Sequence, residues 1–222
     1  LIIKKVPIIH FNSENTKNEV LSNAYFVRAF CYYWIGRIWG DAPLLLEGYE
    51  SDSQEGLYPQ RTSAERIFEQ IGNDIDKAYK LIPDGIVKNR ASKASIAMLK
   101  ADYDLWMYKV RKSGDNYLQD ATEKIQSVLA NPAYGLENNY ADIFNDQPNK
   151  EVIFEWTFVQ GESTSSETEN YLVPSQYVTT KYINNPIQTG SHQQWCFFTP
   201  SFKSFLTANQ ADQRAKMTFS TF

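Results

Sequence analysis

Apolar side chains in the first part of the chain recur at every third or fourth position, which is the period of an amphipathic α-helix. Over residues 19–39 they form one stripe along the helix, made up of Val20, Ala24, Val27, Cys31, Trp34 and Ile38. A second face carries Phe26, Phe30 and Tyr33. The pattern predicts a helix that is buried on two sides and that ends at Gly40-Asp41-Ala42-Pro43, since glycine and proline stop a helix.

Residues of the stripe are expected in the core of the protein. Cys31 is therefore predicted to be a buried free thiol. Trp34 is assigned to the core together with Trp106 and Trp156, which also lie on amphipathic patterns. Trp39 stands at the helix end beside Gly40, and the pattern leaves its position open.

A polar stretch, residues 49–60, separates this helix from the next and is predicted to be a loop. Thr62 and Glu65 then stand three positions apart, which is the spacing of a capping box at a helix N-terminus. The stripe that follows predicts a helix ending at Pro83-Asp84-Gly85, and its members are Ala64, Ile67, Ile71, Ile75, Ala78 and Ile82.

Two more helices are predicted, over about 91–110 and 115–129. The first carries small residues on one face, which let a neighbouring helix approach closely, at Ala94, Ala97 and Ala101. The second ends before Asn131-Pro132. Helix pairs at this spacing are typical of tetratricopeptide-like stacking, although the full signature of that repeat is absent. We therefore predict a mainly all-α fold with a helical-hairpin array over residues 17–131.

The chain changes character after Pro132. Residues 151–158 alternate with a period of two, which predicts a short strand or an extended segment against the helices and places on one face Val152, Phe154, Trp156 and Phe158. Residues 160–200 are rich in Ser, Thr, Asn, Gln and Pro. We predict that 132–222 is a loop-rich, partly extended portion packed on the array, so that residues 1–222 form a single domain.

Composition excludes several classes of protein. The chain has 222 residues and a net charge of −4, which gives no electrostatic reason to bind nucleic acid or an anionic membrane surface. Its longest apolar stretches are far shorter than the roughly 20 residues that span a bilayer. Two cysteines cannot build a zinc knot or a disulfide framework. No cofactor and no metal site are predicted.

Catalytic signals are weak. His10 and His192 are isolated in sequence, and such histidines are far more often structural than catalytic. The chain has no phosphate-binding glycine loop, no Gly-x-Ser-x-Gly elbow and no calcium loop with the required glycine. A glycosidase would need two carboxylates across the sugar, and the acidic residues near the aromatic loop are more simply interpreted as solvated surface charges: Glu155, Glu162, Glu167 and Glu169. We predict that the protein is not an enzyme.

Aromatic residues make up 14% of the chain, and many of them stand in the polar loop after residue 160. An aromatic plane suits the apolar C–H face of a pyranose, while amide and charged groups bond to its hydroxyl rim. The candidate ligand-binding residues are Tyr171, Tyr177, Tyr182, Asn184, Gln193 and Trp195. The alternative for each ring is that it packs the loop on the helices.

Five segments, in order along the chain, resemble the SusD/RagB family. Residues 23–44 contain Ala-x-Phe-x-Arg-Ala followed by Gly-Asp-x-Pro-Leu, and 61–83 and 91–101 resemble the next two helices of that family. The remaining matches are the group Tyr134-Gly-Leu, Tyr140-Ala-Asp-Ile-Phe and Glu151-Val-Ile-Phe-Glu, and then Asp212-Gln-Arg214. Family members are longer at both ends, so the chain is expected to be a fragment that contains the helical-repeat core.

The resemblance implies a lipoprotein of Bacteroidetes, held on the cell-surface side of the outer membrane by a lipid anchor that this chain lacks. It implies that the protein captures glycans, without catalysis, for a SusC-like TonB-dependent transporter. Departures exist, because Asp102-Tyr-Asp-Leu-Trp replaces a basic and aliphatic run of the family. Two alternatives stay open, namely RagB-like peptide capture and a helical-repeat scaffold that binds another protein.

Overall fold

The computed structural model describes residues 1–144, 149–157, 199–209 and 211–214. Its helices are α1 (Ile2–Lys5), α2 (Glu14–Trp39), α3 (Ala64–Leu81), α4 (Lys93–Lys109), α5 (Asp115–Leu129) and α6 (Pro200–Ala208), with 3-10 turns at Val6–Ile8 and Tyr140–Phe144. Within these ranges the chain forms no β-strand, and the prediction of a mainly α-helical fold is confirmed.

The chain divides into two compact units. One consists of Leu1–Leu136 with Pro148–Trp156, and the other of Glu137–Gln147 with Thr157–Phe222. Helices α1 to α5 belong to the first unit and α6 to the second. That residues 1–222 form a single domain stays a prediction.

Helices α2 to α5 form an array of two helical hairpins. Helix α2 packs along α3, and α4 packs along α5, while α3 also contacts α4. The main core lies between α2, α3 and α4, and its members include Phe26, Tyr33, Ile67, Phe68, Ile71 and Tyr103. A smaller core between α4 and α5 contains Ala94, Ala97 and Val128, so the small-residue face of α4 does admit a close neighbour.

The predicted capping box at the start of α3 is wrong. Ser63, not Thr62, precedes the helix, and its side chain makes no capping bond. The free backbone N–H of Ala64 instead donates to the carboxylate of Asp41, at 2.8 Å. A backbone bridge between Ala42 and Thr62 holds this carboxylate at the helix end. The Gly-Asp-x-Pro turn therefore ends α2 and also caps α3.

The assignment of the two apolar faces of α2 needs a correction. The face of Phe26 and Tyr33 packs against α3, because Gly36 on the same face lets the Phe68 ring approach; a Cβ on Gly36 would lie 3.2 Å from that ring. The predicted stripe faces away from α3. Val27 is 44% exposed, Trp34 is 46% exposed, and Cys31 is an exposed free thiol rather than a buried one.

Residues 149–157 form an extended segment on the helices rather than a strand, which is one of the two predicted outcomes. The amide of Glu155 donates to the carbonyl of Lys88 at 2.9 Å. Phe154 packs its ring edge-on against Phe26, with centroids 5.3 Å apart. Trp156 is 59% exposed, so its assignment to the core was wrong. Trp106 does pack against the main core, and that assignment is confirmed.

Candidate functional site

The predicted ligand-binding residues of the polar loop, from Tyr171 to Trp195, all lie outside the described residues. Their role as a site stays a prediction. The described part of the chain offers three features that sequence reasoning did not single out: an exposed aromatic surface, an aliphatic groove and a buried charge cluster.

The aromatic surface consists of Trp34, Arg37 and Trp156. Two rings hold the Trp156 indole edge-on, since its centroid lies 5.1 Å from Phe154 and 6.2 Å from Phe30. Trp34 lies one helical turn after Phe30 on the same face of α2. The Trp156 indole is thus fixed by its neighbours while most of it faces solvent. A ring that stacks on a flat ligand needs both properties.

Arg37 supplies the charge of this surface. Its guanidinium carbon lies 4.6 Å from the centroid of Trp106 and 5.1 Å from that of Trp34. A cation over aromatic faces is held by the ring quadrupoles. The exposed Asp102 carboxylate lies 3.5 Å from the Arg37 guanidinium. Most of the N–H donors of the guanidinium are left to bind other acceptors. An exposed indole, guanidinium donors and a carboxylate together can bind a ring with hydroxyl groups.

The aliphatic groove runs beside α2 and has a volume of about 970 Å³. Side chains from α1, α2 and the loop after α2 line it, among them Ile2, Ile3, Val20, Val27, Leu45 and Leu46. Charged residues stand at its margin, where Glu19 and Arg90 lie 3.3 Å apart. Its lining contains no aromatic ring, so the groove does not offer the stacking plane that favours sugars.

The charge cluster joins α4 to α5. The ammonium of Lys100 donates to both carboxylate oxygens of Asp104, at 2.6 and 2.8 Å, and to Asp120 at 2.6 Å. Burial raises the pKa of the Asp104 carboxyl to about 6, against the opposing effect of Lys100. Burial is the largest single influence on Asp120 and raises its pKa, but the hydrogen bond and charge of Lys100 and the charge of Lys124 together outweigh it and lower the pKa of that carboxyl. One ammonium cannot fully stabilise two carboxylates, so the pKa of the more buried carboxyl, Asp104, is the one that is raised.

Asp104 should therefore make stability depend on pH. An aspartate of an unfolded chain has a pKa of about 3.9, below the folded value of about 6. The stability that protonated Asp104 contributes is present below about pH 4 and is lost as the pH rises through 6. Relative to Asp104→Asn, we expect the wild-type free energy of unfolding to fall between pH 4 and 6.5, measured by urea unfolding.

The neutral exposed substitution Gln119→Ala on α5 serves as the control, since it removes no titratable group. A difference between wild type and Asp104→Asn that stays constant across this pH range would contradict the assignment. Because the Asp104 side chain is completely buried, it has no access to a substrate, and we assign it a structural role.

Among the described residues, no three His, Cys, Asp or Glu side chains gather as ligands for a metal ion. Of the helices that the structure describes, none combines the length and the apolar character needed to cross a bilayer.

Comparison with known proteins gives a consistent result. Residues 8–103 match the family described as SusD-like_3, starch-binding associating with outer membrane. A SusD superfamily protein of Bacteroides fragilis is 26% identical and superposes with a TM-score of 0.75, over 96% of this chain and 46% of that one. The chain is similar to SusD-like proteins.

Other similar proteins show how much of each relative this chain matches. SusD-like protein P2 of Formosa agariphila is 27% identical over 95% of this chain and 40% of its own length. SusD-like protein P25 of the same organism is also 27% identical, over 67% of this chain and 27% of its own length. B. fragilis NanU superposes with a TM-score of 0.70 over 80% of this chain and 37% of that protein, at 27% identity. The chain thus spans about a quarter to two fifths of the curated relatives.

Two of the motifs that resemble the SusD/RagB family have structural roles in this chain. Arg28 of the Ala-x-Phe-x-Arg-Ala motif forms two hydrogen bonds of 2.7 Å with Asp74 on α3. Asp41 of the Gly-Asp-x-Pro motif caps α3. The aromatic surface was not predicted from the sequence, because apolar rings that recur every 3.6 residues were all assigned to the core. The residue that could have indicated an exposed face is Arg37, three positions after Trp34 on the same helix.

Proposed function

We propose that this SusD-like chain is the helical core of a surface protein that captures glycans without catalysis and delivers them to a TonB-dependent transporter of the SusC type. The observation that carries the proposal is the match to a family described as starch-binding and associated with the outer membrane. The exposed, ring-supported Trp156 and the pair of Trp34 and Arg37 add the chemistry that a sugar needs.

Two solved structures that share the fold involve glycans. One is a crystal structure with a xylogluco-oligosaccharide and another is a laminarin-binding SusD-like protein, at 24% and 20% identity. At that identity they support the fold alone, so the particular sugar is not carried over to this chain. Outer-membrane association agrees with the family description. Surface exposure, a lipid anchor in the full-length protein and the SusC-like partner are parts of the proposal.

Two groups of residues are proposed to contact the glycan. The first is the aromatic surface of Trp34, Arg37 and Trp156. The second is the polar-loop set predicted from the sequence, which consists of Tyr171, Tyr177, Tyr182, Asn184, Gln193 and Trp195. In both groups an aromatic plane takes the C–H face of the sugar and polar groups take its hydroxyls.

The test is a binding screen of the full-length protein against a polysaccharide panel and a peptide mixture, by affinity gel electrophoresis and calorimetry. Glycan binding is expected. Binding to peptides alone would move the protein to the RagB-like alternative, and binding to neither would favour the protein scaffold. Turnover of a chromogenic glycoside that one acidic substitution abolishes would contradict the non-catalytic assignment.

Alanine variants then separate the two groups of residues. Each stacked ring is worth about 0.5–1.5 kcal/mol, so Trp156→Ala and Trp34→Ala should each weaken glycan binding roughly two- to tenfold. Trp195→Ala and Tyr182→Ala together should abolish binding while the helical circular dichroism is unchanged. Tyr58→Ala, an exposed ring on the loop after α2, is the control and should bind as wild type does.

Survival of full affinity in Trp156→Ala and Trp34→Ala would remove the aromatic surface from the site. Survival of binding in the Trp195 and Tyr182 variants would remove the polar loop. Either result leaves glycan capture itself intact, because the wild-type screen measures that directly.

A further inference from the structure

Two arginines of α2 differ in how fully their hydrogen-bond donors are used. Arg28 forms two hydrogen bonds of 2.7 Å with the buried Asp74. Arg37 makes only a contact of 3.5 Å with the carboxylate of Asp102, which is 59% exposed. A hydrogen bond between a guanidinium and a carboxylate is usually about 2.7–2.9 Å long. Among the described residues, the N–H donors of Arg37 therefore have no close acceptor.

The rings around Arg37 hold its charge in place. The guanidinium carbon lies 4.6 Å from the centroid of the Trp106 ring and 5.1 Å from those of Trp34 and Tyr33. The side chain is 28% exposed, so its neighbours restrain it while it still reaches solvent. The Tyr33 hydroxyl also donates to the backbone carbonyl of Asp102 at 2.9 Å, which ties α2 to α4 beside the guanidinium. A charge restrained in this way loses little conformational freedom when it binds a ligand.

A second donor at this place also lacks an acceptor. The indole N–H of Trp106 is buried, and none of the described residues accepts a hydrogen bond from it. Buried polar groups in folded proteins nearly always have a partner, so a donor without one indicates where an acceptor is missing. The donors of Arg37 and Trp106 together favour a ligand that brings an acceptor, and a negatively charged acceptor suits the guanidinium best.

A carboxylate is the acceptor that matches a guanidinium. Its two oxygens accept two parallel N–H bonds, which a single hydroxyl group cannot do. The rings exclude water from part of the guanidinium, and a lower local dielectric constant strengthens the attraction between opposite charges. Asp102 competes weakly, because an exposed ion pair contributes little stability. Trp34 is 46% exposed and keeps surface for a sugar ring next to the acidic group.

We propose that the aromatic surface selects acidic glycans, in which the guanidinium of Arg37 binds a sugar carboxylate, such as that of a uronic acid, and the Trp34 indole contacts a sugar ring. The inference rests on the proposed function, since it names the class of glycan that is captured. The 222-residue chain has a net charge of −4, so its overall charge does not favour an anionic ligand. A preference for acidic glycans must then come from a local site.

The experiment compares matched neutral and carboxylated polysaccharides. The full-length protein is tested by affinity gel electrophoresis and calorimetry with three pairs: starch and xyloglucan, each before and after oxidation of the primary hydroxyl groups to carboxylates, and methyl-esterified pectin with polygalacturonate. In at least one pair we expect the carboxylated form to bind about fivefold more tightly or better, because hydrogen bonds between charged groups are the stronger ones. The preference should shrink in about 0.5 M NaCl, since salt screens partly exposed charges.

Substitutions assign the preference to one guanidinium. Arg37→Gln should bring the two forms within about twofold of each other, and Arg37→Lys should recover only part of the preference, because an ammonium lacks the two parallel donors. Asp102→Asn should strengthen binding of the carboxylated form about two- to threefold, since it removes a like charge beside the site. The control is Arg111→Gln, which changes a guanidinium 5.4 Å from the Phe68 ring and outside the aromatic surface. It should keep the wild-type preference.

Three results would overturn the inference. Equal affinity of the wild type for both forms in every pair would mean that the acidic group is not recognised. An unchanged ratio of affinities in Arg37→Gln would limit that residue to packing or place recognition elsewhere. Tighter binding of sulfated than of carboxylated starch would assign the site to a sulfate ester. Binding of neutral forms alone leaves the proposed function intact, whereas binding of no glycan would remove both.

Discussion

Asp74→Asn should lower the free energy of unfolding by about 3–5 kcal/mol, because it removes one partner of a buried ion pair and leaves the other charge uncompensated. The Asp74 side chain is 1% exposed and accepts two hydrogen bonds of 2.7 Å from Arg28 and one of 2.8 Å from Gln70. An asparagine of the same shape keeps the packing and loses the charge. Urea or guanidinium unfolding, followed by circular dichroism, measures the loss.

Two controls separate the buried pair from surface charge in general. Lys5 and Glu50 form an exposed ion pair at 3.3 Å, and Glu50→Gln should change stability by no more than about 1 kcal/mol. The double variant Arg28→Met/Asp74→Leu removes both charges and should recover much of the loss. A cost below about 1 kcal/mol for Asp74→Asn would show that the pair does not hold α2 to α3.

Phe68→Ala should cost a similar amount, about 3–5 kcal/mol, through loss of apolar burial and the cavity that remains. Phe68 lies at the meeting point of three helices. Its ring touches Gly36 of α2, stacks on Trp106 of α4 at 6.5 Å, and approaches the guanidinium of Arg111 at 5.4 Å. Neighbouring helices cannot close the space without moving against one another, so little of the cavity collapses.

The matched control for Phe68 is Leu129→Ala at the end of α5, where the leucine is 76% exposed. Its substitution should change the free energy of unfolding by no more than about 0.5 kcal/mol. In both variants the unfolding free energy should fall with denaturant concentration at the wild-type slope. That slope depends on the surface exposed on unfolding, which neither substitution changes appreciably. A Phe68→Ala protein as stable as the Leu129→Ala protein would contradict the packing described here.

Helix existence could be predicted from the sequence because it depends on local spacing. The stripe of α3 is buried as expected, from Ile67 to Ile82. Helix α2 begins at Glu14, five residues before the predicted start, because its first turns carry polar residues without apolar periodicity. Its true N-cap, Ser13, accepts a weak hydrogen bond from Thr16 that the apolar pattern could not reveal.

Less of the candidate site could be predicted from the sequence. Exposed rings and buried rings have the same periodicity, so Trp34 and Trp156 were assigned to the core although each is about half exposed. Their exposure depends on which side of α2 meets α3 and on where the extended segment leaves the helices. The polar-loop candidates rest on composition, and they stay predictions.

By itself, the sequence determined the number, type and approximate limits of the long helices and the resemblance to SusD-like proteins, since periodicity, turn residues and motifs are properties of neighbouring positions. Only the tertiary structure decided which of two apolar faces of α2 is buried, that Asp41 caps α3, and that Arg28 pairs with Asp74. Each of these depends on contacts between residues distant along the chain. The small Gly36 and the buried charge of Asp74 favour one face of α2 over another of similar hydrophobicity.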